Sequence, residues 1–284
     1  MITSQHFGHV DYGRFGNQLF QYSLCKVLSI YHDCFFYLNP SNHFLSFFDI
    51  SKLTYKKLDK KINHYSYIEK DPYYFDKDIF SYPKIDILGF FQNLSYYQNY
   101  ISDLQKELTP NLIIVKNTIE YLKSKSYNNF NLDKTICIHV RRTDYTQLQN
   151  KHGFLDAQYY FDILNQNNLL NYNIFIISDD IKYVKNEFSQ IFNLDNLHYV
   201  DDLDVYHDYC IMYLSRINLL ANSTYSWWSA LLSDKNNKEV YAPYPWINQS
   251  EYANTKELSS NINLYPKYWK KVNYTLKKWD KLFI

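Results

Sequence analysis

From residue 134 onward, short apolar runs alternate with stretches whose apolar positions recur at helical spacing. KTICIHV (134–140) is a β-branched run, and DAQYYFDILN (156–165) follows it with a 3.6-residue period. YNIFIIS (172–178) reads as a second strand ending in Ser178, Asp179 and Asp180, with a helix over 181–189. A third strand at 197–200, a helix at 204–216, a fourth strand at 217–221, a helix at 223–233 and a strand at 239–242 complete the series. Strands alternating with helices predict a parallel sheet covered on both faces, with ligands at the carboxyl ends of the strands.

The first half is less regular. Within 18–31, Phe20, Leu24, Val27, Leu28 and Tyr31 form one apolar stripe, with Gln18, Tyr22, Lys26 and Ser29 opposite, which predicts a packed helix. CFFYL (34–38) reads as the next strand, and IDILGFF (85–91) as another that leads into a helical 94–108. In the tail, Trp269, Val272, Leu276, Trp279 and Phe283 make a stripe among five lysines, predicting an amphipathic helix over 268–283. That helix would dock on the protein's own body or, being basic, touch a membrane surface. The expected division is an α/β domain over 1–130, a Rossmann-like domain over 131–245 and a helical tail over 246–284.

Composition narrows the function classes. A chain of 284 residues with 46% hydrophobic residues and a formal net charge of +1 is globular and has no bulk charge for a polyanion, so nucleic acid is not an expected partner. Cys25, Cys34, Cys137 and Cys210 lack CxxC spacing and read as buried thiols of a reducing compartment. The sequence MITSQHFGHV lacks the features of a signal peptide, so a cytoplasmic location is expected.

Three segments carry candidate chemistry. HVRRTDY (139–145) leaves an apolar strand and delivers two arginines to its end, where a guanidinium fork can grip phosphate. Strand alternation places His139 and Arg141 on one side and Arg142 on the other, paired with a carboxylate such as Asp179 or Asp180. NSTYSWWSALL (222–232) follows a strand, with Ser223 or Thr224 as a helix cap and first-turn N–H groups available to an anion. YGRFGNQLFQY (12–22) is a turn opening a helix, in which Gly13 and Gly16 allow close backbone approach and Asn17 and Gln18 offer neutral hydrogen-bonding groups. Asp202-Leu203-Asp204 reads as a strand-to-helix connection capped by Asp204 and not as a metal-binding DxD pair.

GRFGNQLFQY (13–22), GFFQ (89–92), HVRRTDY (139–145), ISDD (177–180) and ANSTYSWWSALL (221–232), in this order, resemble the α-1,2-fucosyltransferase family and, more distantly, the α-1,6- and protein O-fucosyltransferases. The resemblance implies an α/β GT-B-like fold of two Rossmann-like domains, with the donor site in the C-terminal one and the acceptor in the cleft facing the first. It implies inverting transfer of fucose from GDP-fucose to a galactose-containing glycan, with neither metal nor cofactor. By position, Arg141 corresponds to the β-phosphate ligand and His139 to a nucleotide contact or a group that orients Arg141. Asn222, Ser223, Thr224 and Tyr225 correspond to the phosphate-binding helix start, and Asp208 to the acidic residue near the nucleoside. Asn17, beside Gly16, is similar to the asparagine facing the diphosphate from the other domain. Asp144 is the candidate for activating the acceptor hydroxyl, unless the departing phosphate takes that proton. The unusual HFGHVDYGRFGN stands where a clean apolar strand is expected.

Overall fold

The computed structural model describes residues 1–9, 13–59, 63–126, 130–143, 145, 154–235, 237–247 and 262–274. The fold is α/β and GT-B-like in class, built from two units that each carry a parallel sheet. The first unit comprises Met1–Leu112 and the described part of Thr255–Pro266; the second comprises the described parts of Ile113–Asn254 and Lys267–Ile284.

In the first unit the strands β1 (Ile2–Thr3), β2 (Phe36–Leu38), β3 (Lys56–Lys57), β4 (Tyr65–Ile68) and β5 (Ile85–Leu88) run parallel in the order β3-β2-β1-β5-β4. Helices α1 (Phe15–Tyr31), α2 (Asn42–Ser46) and α3 (Ile101–Glu107) accompany them. The clean apolar strand expected near the N-terminus is thus only Ile2–Thr3. Buried Asp86 on β5 anchors it by accepting from the Thr3 hydroxyl (2.7 Å) and the Gln5 amide (3.0 Å). Helix α1 is buried on nearly all sides, which corrects the single-stripe expectation. Tyr22 is fully buried among Phe7, Phe36 and Phe44, while Tyr31 is exposed. The Tyr22 hydroxyl donates to buried Glu107 (2.6 Å), which also takes the Thr54 amide (2.6 Å) and the Lys26 ammonium (2.9 Å). A buried carboxylate needs this full set of partners.

The second unit opens with α4 (Leu112–Lys125). The domain division falls at 112/113 and not at 130 because Leu122 of α4 packs in the second unit's core with Cys137, Phe175 and Ile211. Next come β6 (Thr135–Val140), α5 (Ala157–Gln166), β7 (Asn173–Ser178), α6 (Ile181–Phe188), β8 (Leu197–Tyr199), α7 (Val205–Leu214), β9 (Ile217–Leu219), α8 (Thr224–Leu232), β10 (Glu239–Tyr244) and β11 (Lys270–Asn273). The parallel sheet has the order β8-β7-β6-β9-β10-β11, the doubly wound order of a dinucleotide fold. Alternation along β6 sends Ile136, Ile138 and Val140 against α5 and α6, and Cys137 toward α4 and α7.

Strand β11 corrects the tail expectation. Lys270–Asn273 pairs in parallel with Tyr241–Tyr244 as the sixth strand, and Trp269 packs edge-on against Trp227. Trp269 and Val272 sit at helical spacing, but sheet pairing and the docking of Val272 and Tyr274 on the core decide the local structure. The remainder of the expected helix, 275–283, lies outside the described residues. Of the four cysteines, Cys34 is half-buried and the others are buried, all as free thiols. Among the described residues no helix is long and apolar enough to cross a membrane.

Candidate active site

In the second sheet the chain steps outward from β6 through β7 to β8, then returns to β9 beside β6 and steps the other way. The switch point therefore lies between β6 and β9, the place where an open α/β sheet leaves a crevice at its strand ends. Register Ile138↔Leu219 brings Arg141 at the end of β6 level with Asn222 at the end of β9.

The two arginines divide as alternation requires, although Arg142 takes a different partner from the one expected. Its side chain is 2% exposed, pairs with Glu187 of α6 (2.7 Å) and donates to the Leu155 carbonyl (2.9 Å). Glu187 is on the face to which Val140 also points, packed with Val184 and Phe188, so Arg142 is structural. Only its backbone N–H goes to Asp179 (2.8 Å). The Asp179 side chain instead holds Arg141, at 2.9 Å, and accepts from the Thr143 hydroxyl. Burial raises the Asp179 carboxyl, but Thr143, Arg141 and the Arg142 amide outweigh it and keep it below the ordinary carboxylate value. Arg141 is thus presented on a fixed anionic support, a device that sequence pattern alone had assigned to the wrong arginine.

His139 is 5% exposed, and its Nδ1 has no hydrogen-bond partner among the described residues. Burial and then Arg141 lower its basicity, so the imidazole is neutral at physiological pH. Its ring lies 5.7 Å from that of Tyr225 at the start of α8. Tyr145 joins the two strand ends: its hydroxyl donates to the Asn222 carbonyl (2.8 Å) and its ring lies 5.6 Å from the Arg141 guanidinium. The sequence reading had not singled out Tyr145, whose signal is its place as the last residue of HVRRTDY.

The helix starts of the unit differ in a telling way. Asp156, Asp180 and Asp204 cap α5, α6 and α7, each carboxylate accepting first-turn N–H groups at 3.0 to 3.1 Å. Ser223 occupies the corresponding position of α8 with extended backbone but makes no capping bond, contrary to the expected cap. An aspartate there would repel an anion, whereas an uncapping serine leaves the helix dipole facing the switch point.

Asp208, on α7, is half-buried, and its Oδ1 is buried without a partner among the described residues. Burial, then the nearby charge of Asp204, raises the carboxyl to about 8. A buried acceptor of this kind is suited to a ligand that brings its own N–H donors.

Asn17 and Gly16 belong to the first unit, in the first turn of α1. Gly13 has φ +95°, and a Cβ there would meet the Asn17 Nδ2 at 2.2 Å, so this turn needs glycine. Asn17 Oδ1 accepts from Gln92 Nε2 (2.9 Å). Asp144 lies outside the described residues.

The second unit is thus a doubly wound sheet whose switch point combines an arginine, a neutral histidine and a helix start without a side-chain cap, a combination that can hold an anion. The sequence profile described as Glycosyl transferase family 11 matches residues 3–277, and the chain belongs to that family. It is 27% identical over 177 residues to an α-1,2-colitosyltransferase of Escherichia coli, covering 59% of this chain and 58% of that one. To the O-antigen biosynthesis glycosyltransferase WbnK of Escherichia coli it is 26% identical over 286 residues, covering 83% and 93% of the two chains. The crystal structure of POFUT1 in complex with GDP-fucose shares the fold at 13% identity, with a TM-score of 0.57, over 85% of this chain and 97% of that one.

Proposed function

We propose that the protein transfers fucose from GDP-fucose, with inversion and without a metal, to O2 of a terminal β-galactoside in a glycan. The observation that carries the reading is the second unit's switch point, where Arg141 stands beside the start of α8, which has serine in place of the aspartate caps of α5, α6 and α7. In this reading the diphosphate lies on Arg141 and the N–H groups of Ser223, Thr224 and Tyr225. Arg141 neutralises the charge that grows on the leaving diphosphate as the sugar acquires oxocarbenium character. Asp179 keeps the guanidinium aimed, and His139, being neutral, adds a hydrogen-bonding group without competing for phosphate. Guanine N1 and N2 hydrogens go to Asp208. The first unit contributes Asn17 as a catalytic carboxamide and Gly16 as close-approach backbone, roles carried over from the family resemblance. Asp144 takes the proton of the acceptor hydroxyl, and Asp144→Asn tests that assignment through kcat.

Fucose itself is supported by the GDP-fucose named in the POFUT1 complex, and the α-1,2 linkage by the name of the colitosyltransferase relative. That name also favours a second reading in which colitose is the sugar, since Arg141 and a helix start hold the diphosphate and do not distinguish hexoses. Thermal stabilisation by GDP-fucose, compared with GDP-mannose and GDP, separates donors, and linkage analysis of products on a panel of β-galactosides fixes the acceptor position. Equal stabilisation by the two GDP-sugars would remove the donor assignment.

A further inference from the structure

The first unit contains a carboxylate that the reading above leaves without a role. Glu69 follows β4 at the edge of the sheet and folds back under the segment after β5. Its Oε2 accepts the Phe90 N–H at 2.6 Å and its Oε1 the Phe91 N–H at 2.7 Å. The fit at this point excludes any side chain on Gly89, because a Cβ there would lie 2.4 Å from the Glu69 Cβ. Phe91, a bulky residue, is held at φ +54°, a conformation that persists only where its surroundings fix it. Glu69 fixes its N–H, and the Tyr97 hydroxyl (2.8 Å) fixes its carbonyl. The next residue, Gln92, is 8% exposed and donates to Asn17 Oδ1, which settles which end of the Asn17 carboxamide remains directed toward Gly13.

We infer that Glu69 is a positioning residue for the transfer reaction, acting through the strained Gly89–Phe91 turn and Gln92 to orient the Asn17 amide. Burial raises the Glu69 carboxyl, but the Phe90 and Phe91 amides pull it down, and acceptance of an N–H by each oxygen is the geometry of the ionised group, held by these contacts and by no ion pair among the described residues. A strand edge does not need a half-buried acid whose two oxygens both serve one turn. A catalytic carboxamide does need a defined rotamer, because one turned by 180° offers an acceptor where a donor is required. This inference rests on the assignment of Asn17 as the catalytic amide.

The test is a double-mutant cycle with Glu69→Gln and Gln92→Ala in the full chain, using GDP-fucose and the β-galactoside that supports the fastest transfer. Glu69→Gln keeps the shape but removes one acceptor, and kcat should fall roughly tenfold with GDP affinity unchanged. The double variant should fall no further, and amide exchange at Phe90 and Phe91 should quicken. Gly89→Ala, which displaces Glu69 without touching its charge, should reproduce the loss. An unchanged kcat, strictly additive losses, or unaltered exchange at Phe90 and Phe91 would overturn the inference. Retention of GDP binding by Arg141→Ala would instead overturn the functional reading itself, so the two failures are distinguishable.

Discussion

The two units place opposite chemistry at comparable helix starts. Only the second sheet reverses direction, between β6 and β9; the first runs from β1 through β2 to β3 and then returns from its far edge through β4 to β5. In each unit one helix start lacks a side-chain cap, that of α1 after β1 in the first and that of α8 after β9 in the second. At the second stand Arg141, neutral His139 and Asp208, whose Oδ1 has no partner among the described residues, the groups that the proposed function gives to the diphosphate and the guanine. At the first stand the carboxamides of Asn17, Gln21 and Gln92 on a glycine-bearing turn, with the Glu69 carboxylate spent on backbone. The two helix starts are alike in backbone, and the residues put around them decide which charge each would favour.

The largest expected effect falls on the second unit alone. Arg141→Ala should weaken GDP binding by about a hundredfold or more and abolish turnover, as expected for loss of a charge-assisted, bidentate phosphate contact, with the melting temperature nearly unchanged. Calorimetric titration with GDP reads this directly. In each unit a carboxylate also ties packing together, buried Glu107 in the first and half-buried Glu187 in the second. Removing either by substitution with Ala should cost about 3–5 kcal/mol in denaturant unfolding, since buried Tyr22 in the first unit and buried Arg142 in the second lose their partner. Comparable losses would show that the contrast between the units concerns their sites and not their construction.

A smaller effect is expected from pH. The Asp208 carboxyl, raised to about 8, is mostly protonated at neutral pH in the free protein, whereas guanine N–H donors require the carboxylate. Binding should therefore release a proton, and GDP affinity should rise as pH increases from 6.5 to 8.5, by roughly tenfold per unit of linked pH at most. Asp208→Asn should flatten that profile. Retention of the slope in this variant would place the titrating group elsewhere. The smallest effect is expected from chelation, which should leave the transfer rate unaltered; complete loss in EDTA would contradict the metal-free reading.

Much of the second unit was legible because its inner strands β6, β7, β9 and β10 are largely buried on both faces and read as apolar runs, while its helices carry a clear period. Strand alternation also separated Arg141 from Arg142 correctly. It could not name the partner of Arg142, because Glu187 lies 45 residues away and reaches it only through the packing of α6. The sixth strand was misread since Trp269 and Val272 happen to be three apart, and pairing with β10 overrides that spacing. Strands of two to four residues in the first unit offer too few positions for any period to show. The Glu69 turn was invisible for a different reason: nothing in local sequence joins residue 69 to residues 89–91, and the connection exists only once β4 and β5 pair.

The central claim, that the start of α8 is kept uncapped for a diphosphate, is tested most directly by Ser223→Asp. An aspartate cap satisfies first-turn N–H groups and favours the helix dipole, so the variant should gain about 0.5–1 kcal/mol in unfolding free energy. The same carboxylate occupies and repels at the phosphate position, so calorimetry should show GDP binding weakened by about a hundredfold or more. A more stable protein that no longer binds GDP is the result expected. A variant that binds GDP as tightly as the parent would contradict the account.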